Sequence, residues 1–428
     1  LNSIAQKNVK KLYILTALTN LWFITGSWLY FYRLYMSDRQ IGILDGLVFG
    51  IGLIAEIPSG AFADLLGRKN LLRIGLLLMS FGFLAQGFAH DYIHILAGMI
   101  LFTIGMAMVS GADDALVYDS LEKEGKSSKW QQVIARKHQI MLTVTILSYL
   151  VGGLLYVMHF RLPFILAGVG VLTAFFVAST LKEEPDGKIE RFSAGAYIKQ
   201  NAEGMKYFLR RRMWLYAFMA VVIVGSGYAF DVGVIKPLVL DKFGFFENAQ
   251  AVINAVAGVA AVVALSQLNR LRKLFGEKPG LIALALIMGA GFLVASFPVG
   301  AFGILAFLAI YVVNSMAEPW LNDVVQHEVA SSHRATALST LALLQKIPYV
   351  LLAPIAGGLS TDGRFSLFLI GIAVCIFLAI GILLLFGLLA RKGHQATNIQ
   401  PVKPDNPSYA ELDKSYTHSG HSSEIDKS

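Results

Sequence analysis

The chain has 428 residues, 56% of them hydrophobic and 15% charged. A soluble domain carries about 25% charged residues, so an ordinary water-soluble globular class is excluded and lipid is the expected solvent. The single cysteine, Cys375, excludes an intrachain disulfide and a cysteine-built metal cluster. The net charge of +8 would suit a nucleic-acid partner, but the Lys and Arg lie between apolar runs, where they set orientation in a membrane. Neither nucleic acid nor a cofactor or metal is expected to bind.

Lys7, Lys10 and Lys11 precede a first apolar run over 12–34. It is longer than the h-region of about 7–15 residues of a signal peptide and no A-x-A site follows it, so it reads as a membrane span. Runs of the length needed to cross a bilayer, about 20 residues, recur at 42–62, 71–89, 94–117, 138–158, 162–181, 214–236, 249–268, 280–298, 301–322, 336–358 and 365–390. The expectation is therefore an all-α polytopic membrane protein of twelve transmembrane helices. Segments on the opposite side from the N-terminus hold only Arg33, Arg39, Arg161, Lys236, Lys242 and Arg364, and Lys346 falls mid-span. The remaining basic residues lie on one side, which places both termini in the cytoplasm and suits a plasma (inner) membrane.

The connection 182–213 divides the spans six and six: an N-terminal half, 1–181, and a C-terminal half, 214–390. It opens with KEEPDGK, and Ile198, Ala202, Met205 and Leu209 then recur at helical spacing beside Lys199, Glu203, Lys206 and Arg210. That pattern fits an amphipathic helix lying on the inner membrane surface or packed on the bundle. The tail 391–428 is polar and too poor in apolar residues to fold alone, and is expected to be disordered. Acid pairs five apart, Asp114 with Asp119 and Glu318 with Asp323, close the fourth and tenth spans and give weak support for an internal repeat.

Between spans two and three the chain reads GAFADLLGRKNLL over 60–72. This loop resembles the signature of the major facilitator superfamily through Gly60, Asp64, Gly67, Arg68 and Lys69. The upstream EIPSG (56–60) and the YDSL at 118–121 are similar to members near the drug/proton antiporters with twelve spans. The resemblance covers nearly the whole chain and implies two six-helix halves, alternating access and a monomer. The residues have physical reasons as well. Gly60 admits close approach of a facing helix. Asp64 ends span two, where it can meet the positive end of span eleven. Gly67 can adopt a left-handed cap. Arg68 can fork onto a carboxylate, with Asp119 the candidate. Together these predict a cytoplasmic latch between the halves, which favours the outward-open state; the alternative is that Arg68 and Lys69 only set topology. In the second half ALSQLNRLRK (264–273) lacks the Gly and the Asp, which argues against a second latch. In span five, YLVGGLLY keeps Gly152-Gly153 without a preceding Gly-Pro, whereas APIAGG (353–358) in span eleven is closer to the antiporter signature, so the direction of transport stays open.

An ionisable residue inside a span is costly and marks function by default. Glu56 and Lys346 lie at similar depth in spans that face each other in this family, and are expected to form a bridge that breaks in the cycle or else a static pair. Asp113 and Asp114 carry protons or shore up the signature loop. Arg33 and Asp45 flank the outer loop after span one, where Arg33 contacts substrate or merely anchors at the interface; Asp231 and Lys236 read as a local pair. Asn20, Trp22, Asn254, Tyr311 and Asn314 orient a substrate in the cavity or tie helices together.

The expected function is secondary active transport, as proton-coupled export of a small amphipathic molecule, with the substrate, protons and the lipid bilayer as partners. The alternative is transport of an organic anion through Lys346. A non-transporting scaffold and an intramembrane aspartyl protease are remote: GADD at 111–114 lacks the GxGD element, and no GxxxxGK[ST] loop occurs. No catalytic residue is assigned and the chain is not expected to be an enzyme.

Overall fold

The computed structural model describes residues 3–183, 195, 214–329 and 334–396, with the side chains of 57–65, 334–335 and 386–396 outside the description. All regular structure among these residues is helical. The amphipathic helix expected within 182–213 lies outside the described residues, Gly195 apart, as does the tail beyond Ala396.

Helix α1 (Ile4–Thr19) begins at Ser3, whose hydroxyl accepts the Gln6 N–H. It stops at Asn20, and a non-helical stretch leads to the short α2 (Trp28–Arg33). The break has a packing reason: a Cβ at Gly26 would lie 2.8 Å from Ala251, so the chain is pressed against a later helix there. Then follow α3 (Asp38–Leu66), α4 (Arg68–Gly87), α5 (Tyr92–Val109) and α6 (Ala112–Lys123). Gly111, with φ +76°, turns the chain between α5 and α6 and leaves Asp113 and Asp114 in the first turn of α6, beside its positive end. Two longer helices, α7 (Trp130–Met158) and α8 (Leu162–Ser179), complete this part.

After the linker, one rod is assembled from α9 (Trp214–Met219), a π-helical turn (Ala220–Val224), α10 (Gly225–Val232) and α11 (Ile235–Lys242), with a break at Gly233. The remaining helices are α12 (Glu247–Ser266), α13 (Leu268–Phe275), α14 (Glu277–Ser296), α15 (Gly303–Glu328), α16 (Arg334–Leu344), α17 (Ile347–Thr361) and α18 (Phe365–Ala396). Pro348, at the start of α17, needs no helical N–H there, which fits the break between α16 and α17. Helix α18 extends to Ala396, past Arg391, where the tail was expected to begin.

Ten helical segments among the described residues are long and apolar enough to cross a membrane. Of the other two expected spans, 12–34 is split between α1 and α2, and 42–62 falls within α3, part of whose side chains lie outside the description. The fold is an all-α polytopic membrane fold. Leu154, Val157, Val259 and Val263 are exposed apolar side chains on α7 and α12, as a lipid-facing surface requires.

Small residues set the closest helix approaches, as in other membrane bundles. A Cβ at Gly82 would lie 2.6 Å from the Gly98 carbonyl oxygen, which seats α4 on α5. Gly46 approaches Pro354 at 2.9 Å by the same measure, and Gly42 and Gly357 leave no room for a side chain between α3 and α17. Gly153 meets Ala251 at 2.8 Å, which joins α7 to α12.

Candidate functional site

A cavity of about 580 Å³ lies between the helices of residues 3–183 and those of residues 214–380. Helix α3 presents Asp45, Phe49, Gly52 and Glu56 to it, a helical i, i+4, i+7, i+11 stripe. Trp22 and Trp28 come from the start of the chain, Tyr149 from α7, Tyr228 and Asp231 from α10, Lys236 from α11 and Tyr311 from α15. Lys346 reaches it from the junction of α16 and α17. The lining is thus aromatic with three carboxyl groups and two amines.

The charged groups are not equivalent. Lys346 Nζ lies 3.2 Å from Glu56 Oε1 and 3.4 Å from Oε2. Lys236 Nζ lies 2.7 Å from Asp231 Oδ1, with its ammonium 5.4 Å from the centre of the Tyr311 ring. Asp45 has a different environment: its Oδ2 accepts the Val234 N–H at 3.0 Å and the Tyr349 hydroxyl. The break at Gly233 makes the first bond available, because it ends α10 and turns the next N–H away from the helix ladder. Gly233 itself is packed so tightly against Tyr349 Oη and Asp45 Oδ2 that a side chain there would overlap both.

The two sets of helices are tied together at the Asp38 end of α3. Arg33 pairs with Asp38 at 2.7 Å on its own side and with Asp241 at 3.0 Å on the other. The Tyr30 hydroxyl donates toward Phe245 O at 3.0 Å and accepts from Gln250 Nε2 at 2.8 Å. Arg39 pairs with Asp362 at 2.8 Å, and the Ser360 hydroxyl donates to Asp38 at 2.6 Å. Among the described residues, Glu56 with Lys346 is the tie farthest along α3 from this end.

Of the signature-loop residues, Gly67, Arg68 and Lys69 are not among those that line the cavity. The Arg68 guanidinium bonds Asp119, and the Arg68 and Lys69 N–H groups donate to Glu183 at 2.8 and 3.1 Å. These contacts bind α4 to α6 and to residue 183, all within residues 3–183, so in this conformation they do not bridge the two sets of helices. Gly67 has the positive φ expected of it (+79°) but an extended ψ of 148°, so it precedes α4 in an extended turn and is not a left-handed cap. Gly60 and Asp64 lie on α3 where side chains are outside the described residues. The second half, where the missing Gly and Asp argue against a latch, nevertheless carries a charge contact of the same spacing, within its own helices. Arg272, from α13, bonds Asp323 on α15, and the two are 51 residues apart, the same separation as Arg68 and Asp119. The charge pair needs only an arginine close to the bend, next to Gly67 in one case and four residues before Gly276 in the other, and the missing Gly and Asp do not prevent it.

Other expected residues divide by location. Asp45, Trp22, Glu56, Tyr311 and Lys346 line the cavity. Asp45 lies two turns inside α3 and not beside the outer loop. Arg33 belongs to the ties at the Asp38 end. Asp113 and Asp114 both bond Lys137, at 2.8 and 2.6 Å, which joins α6 to α7 away from the cavity. Asn20 Nδ2 donates to Thr16 O and Asn254 Nδ2 to Gln250 O, each at 2.8 Å, so both are tied to their own helices. Asn314 packs on Gly227. Asp231 and Lys236 form the local pair expected of them and also line the cavity, whereas sequence reasoning missed Tyr349, Tyr228 and Tyr149. The G-V-I-K-P break after Asp231 was the available signal, because an interrupted span marks backbone groups turned toward a cavity.

Comparison with known proteins agrees with this architecture. Residues 12–353 match the family described as Major Facilitator Superfamily. The chain is 23% identical over 353 residues to an uncharacterized MFS-type transporter, YxaM, of Bacillus subtilis (strain 168), covering 81% of this chain and 86% of the relative. It is 25% identical over 248 residues to multidrug resistance protein 1 of the same organism, covering 57% and 61%. Among solved structures, the nucleoside transporter NupG superposes with a TM-score of 0.73 at 13% identity, covering 90% of this chain and 99% of that one. A bacterial homolog of the human lysosomal transporter Spinster, inward-facing and unoccupied, gives 0.69 at 16% identity, covering 89% and 96%. Both solved structures are of proteins described as transporters or transporter homologs. The match over residues 12–353 makes this chain an integral membrane protein of the Major Facilitator Superfamily.

Proposed function

We propose that the protein is a proton-coupled secondary transporter that exports a small amphipathic molecule by alternating access. In this reading twelve spans form two six-helix halves, 1–181 and 214–390, with both termini in the cytoplasm of a plasma-membrane protein that works as a monomer. The observation that carries it is the aromatic cavity with ionisable walls, sealed at the Asp38 end by ties between the halves. Placed in the membrane by its basic loops, that end is the outer one, and the conformation is inward-facing. Glu56 with Lys346, the innermost tie, parts when the halves move, and a proton on Glu56 favours the parting. Arg68–Asp119 and Arg272–Asp323 stiffen each half at its cytoplasmic end, so that the halves move as rigid bodies.

The wall favours cations over anions. Three carboxyl groups face two amines, and both amines already have acidic partners. The multidrug resistance relatives are consistent with an amphipathic cargo. The test is purified protein in proteoliposomes on a solid support, with pH-dependent currents recorded for lipophilic cations, organic anions and sugars, and Lys346→Ala beside the unaltered protein. Cation-dependent current that survives Lys346→Ala supports proton-coupled export. Anion-dependent current that is lost in Lys346→Ala overturns it in favour of an anion transporter.

A further inference from the structure

Of the three cavity carboxyl groups, Asp231 and Glu56 each have a lysine within ion-pair distance. Asp45 has no such partner among the described residues. Its two hydrogen bonds both fall on Oδ2, from Val234 N–H and the Tyr349 hydroxyl, and no described residue donates to Oδ1. A carboxylate offers about four lone-pair sites, so one oxygen of a fixed carboxyl group is left to the cavity. The fixing is firm: Asp45 is held from α17 and from the α10–α11 break, with Gly233 packed against both anchoring groups. Aromatic rings surround the position. Phe49, one turn along α3, has its ring centre 4.9 Å from Tyr349 and 5.9 Å from Tyr228, and Trp28 lies 5.3 Å from Tyr32.

We propose that Asp45 Oδ1 is the receptor for the ammonium group of an amphipathic organic amine, and that a proton competes for the same oxygen. The proposal rests on the reading of the chain as a transporter and names its substrate class. An organic ammonium needs a carboxylate for its N–H and charge and aromatic faces for its adjoining carbons, and both are present here. A sugar would hydrogen-bond the carboxylate but leave its charge uncompensated, and an anion would be repelled by it. Occupancy by the ammonium or by a proton excludes the other, because each takes the charge of the same carboxylate; exchange of one for the other then needs no second site. The titratable and charged groups facing this position are Tyr32 from α2, Tyr349 from α17, Tyr228 and Asp231 from α10 and Lys236 from α11. Asp231 and Lys236 are matched to each other. Tyr349 acts as a positioning residue, because it aims the carboxyl without touching the ligand.

The test uses the full chain in lipid nanodiscs, with a naphthyl-substituted tertiary amine as probe and its uncharged carbon isostere as control. Trp22 and Trp28 in the cavity wall supply a fluorescence signal, and calorimetry in buffers of different ionisation heat counts protons. The unaltered protein is expected to bind the amine more weakly as pH falls and to release a proton on binding. Asp45→Asn should bind it about 10- to 100-fold more weakly, the range for loss of a hydrogen bond to a charged group, release no proton, and keep its affinity for the isostere. Tyr349→Phe should weaken binding less and keep the proton release. Asp45→Glu, which keeps the charge, should restore part of the affinity, and it serves if Asp45→Asn does not fold. Amine binding and proton release in Asp45→Asn equal to the unaltered protein overturn the assignment. If the unaltered protein binds no amine yet transports another solute in the proteoliposome assay, the assignment falls and the transporter reading stands. If it transports nothing, both fall.

Discussion

Replacing Gly357 by alanine tests whether glycine packing sets the closure at the Asp38 end. A Cβ at 357 would overlap the carbonyl oxygen of Asp38 and sit 3.0 Å from Gly42 Cα. Both obstacles are backbone of α3, so no flexible side chain can swing away, and α3 and α17 must separate. Forcing a methyl group into such a contact costs about 1–3 kcal/mol. The cost falls on the conformation in which the helices touch and vanishes when they part. At about 1.4 kcal/mol per factor of ten, the closed-to-open ratio shifts roughly 5- to 150-fold. The assay places a cysteine at Val48, a cavity position beneath the closure that is 3% exposed, in a Cys375→Ser background. An impermeant maleimide is added from the side the Asp38 end faces. The labelling rate should rise by the stated factor in Gly357→Ala, and Gly358→Ala should change it far less, since a Cβ at 358 meets only Arg39 Nε at 4.0 Å. An unchanged labelling rate together with a lowered Tm would refute the reasoning, because it would mean that the overlap destabilises both conformations equally.

Three further outcomes are expected. Arg33→Ala removes one guanidinium from both Asp38 and Asp241, and should raise labelling at the same Val48→Cys site about tenfold, as loss of a charge-assisted hydrogen bond predicts; Arg33→Lys should recover part of it. Arg272→Ala should lower Tm more than Arg68→Ala, because the Arg272 side chain is 16% exposed and that of Arg68 38%, and solvent screens the outer pair more. Glu124, just beyond α6, has its carboxyl held down at about 2 by the Lys126 ammonium and the Ala5 N–H. Its folded value lies below the ordinary 4.5, so its stabilising share is present above pH 4.5 and is lost as pH falls toward 2. Glu124→Gln should flatten the Tm-against-pH curve in that window and lower Tm near neutrality, where the stabilising share is present, with the two proteins converging as pH falls toward 2.

Some of this arrangement was legible in the residue order. Long apolar runs announce helices in lipid whatever they pack against, because an unpaired backbone cannot stay in hydrocarbon. Glu56 and Lys346 could be placed at matching depth by counting helical rise, and 3.2 Å now separates their charged atoms. Asp45 was placed wrongly, beside a loop, because counting along an apolar run does not reveal where a helix starts; α3 begins at Asp38 and carries Asp45 into the bundle. Depth alone left Asn20, Asn254 and Asn314 open between the cavity and ties among helices. Depth leaves azimuth open, and each proved to face its own helix or a neighbour. The second arginine–aspartate contact was missed because a motif was sought where only a distance was needed.

What the sequence by itself determined is the solvent, the all-helical class, the basic-loop asymmetry and the family, since each follows from composition, periodicity or a local motif. What only the tertiary structure decided is which charges meet. Asp231 has Lys236 and Glu56 has Lys346, while Asp45 is left with a backbone N–H and a tyrosine hydroxyl. That allocation depends on breaks at Gly233 and Lys346 and on which helices glycine lets into contact, and these are relations between distant residues, with Asp45 and Tyr349 304 positions apart. Local order along the chain sets the chemistry available, and the packing of distant segments sets which of it faces the cavity.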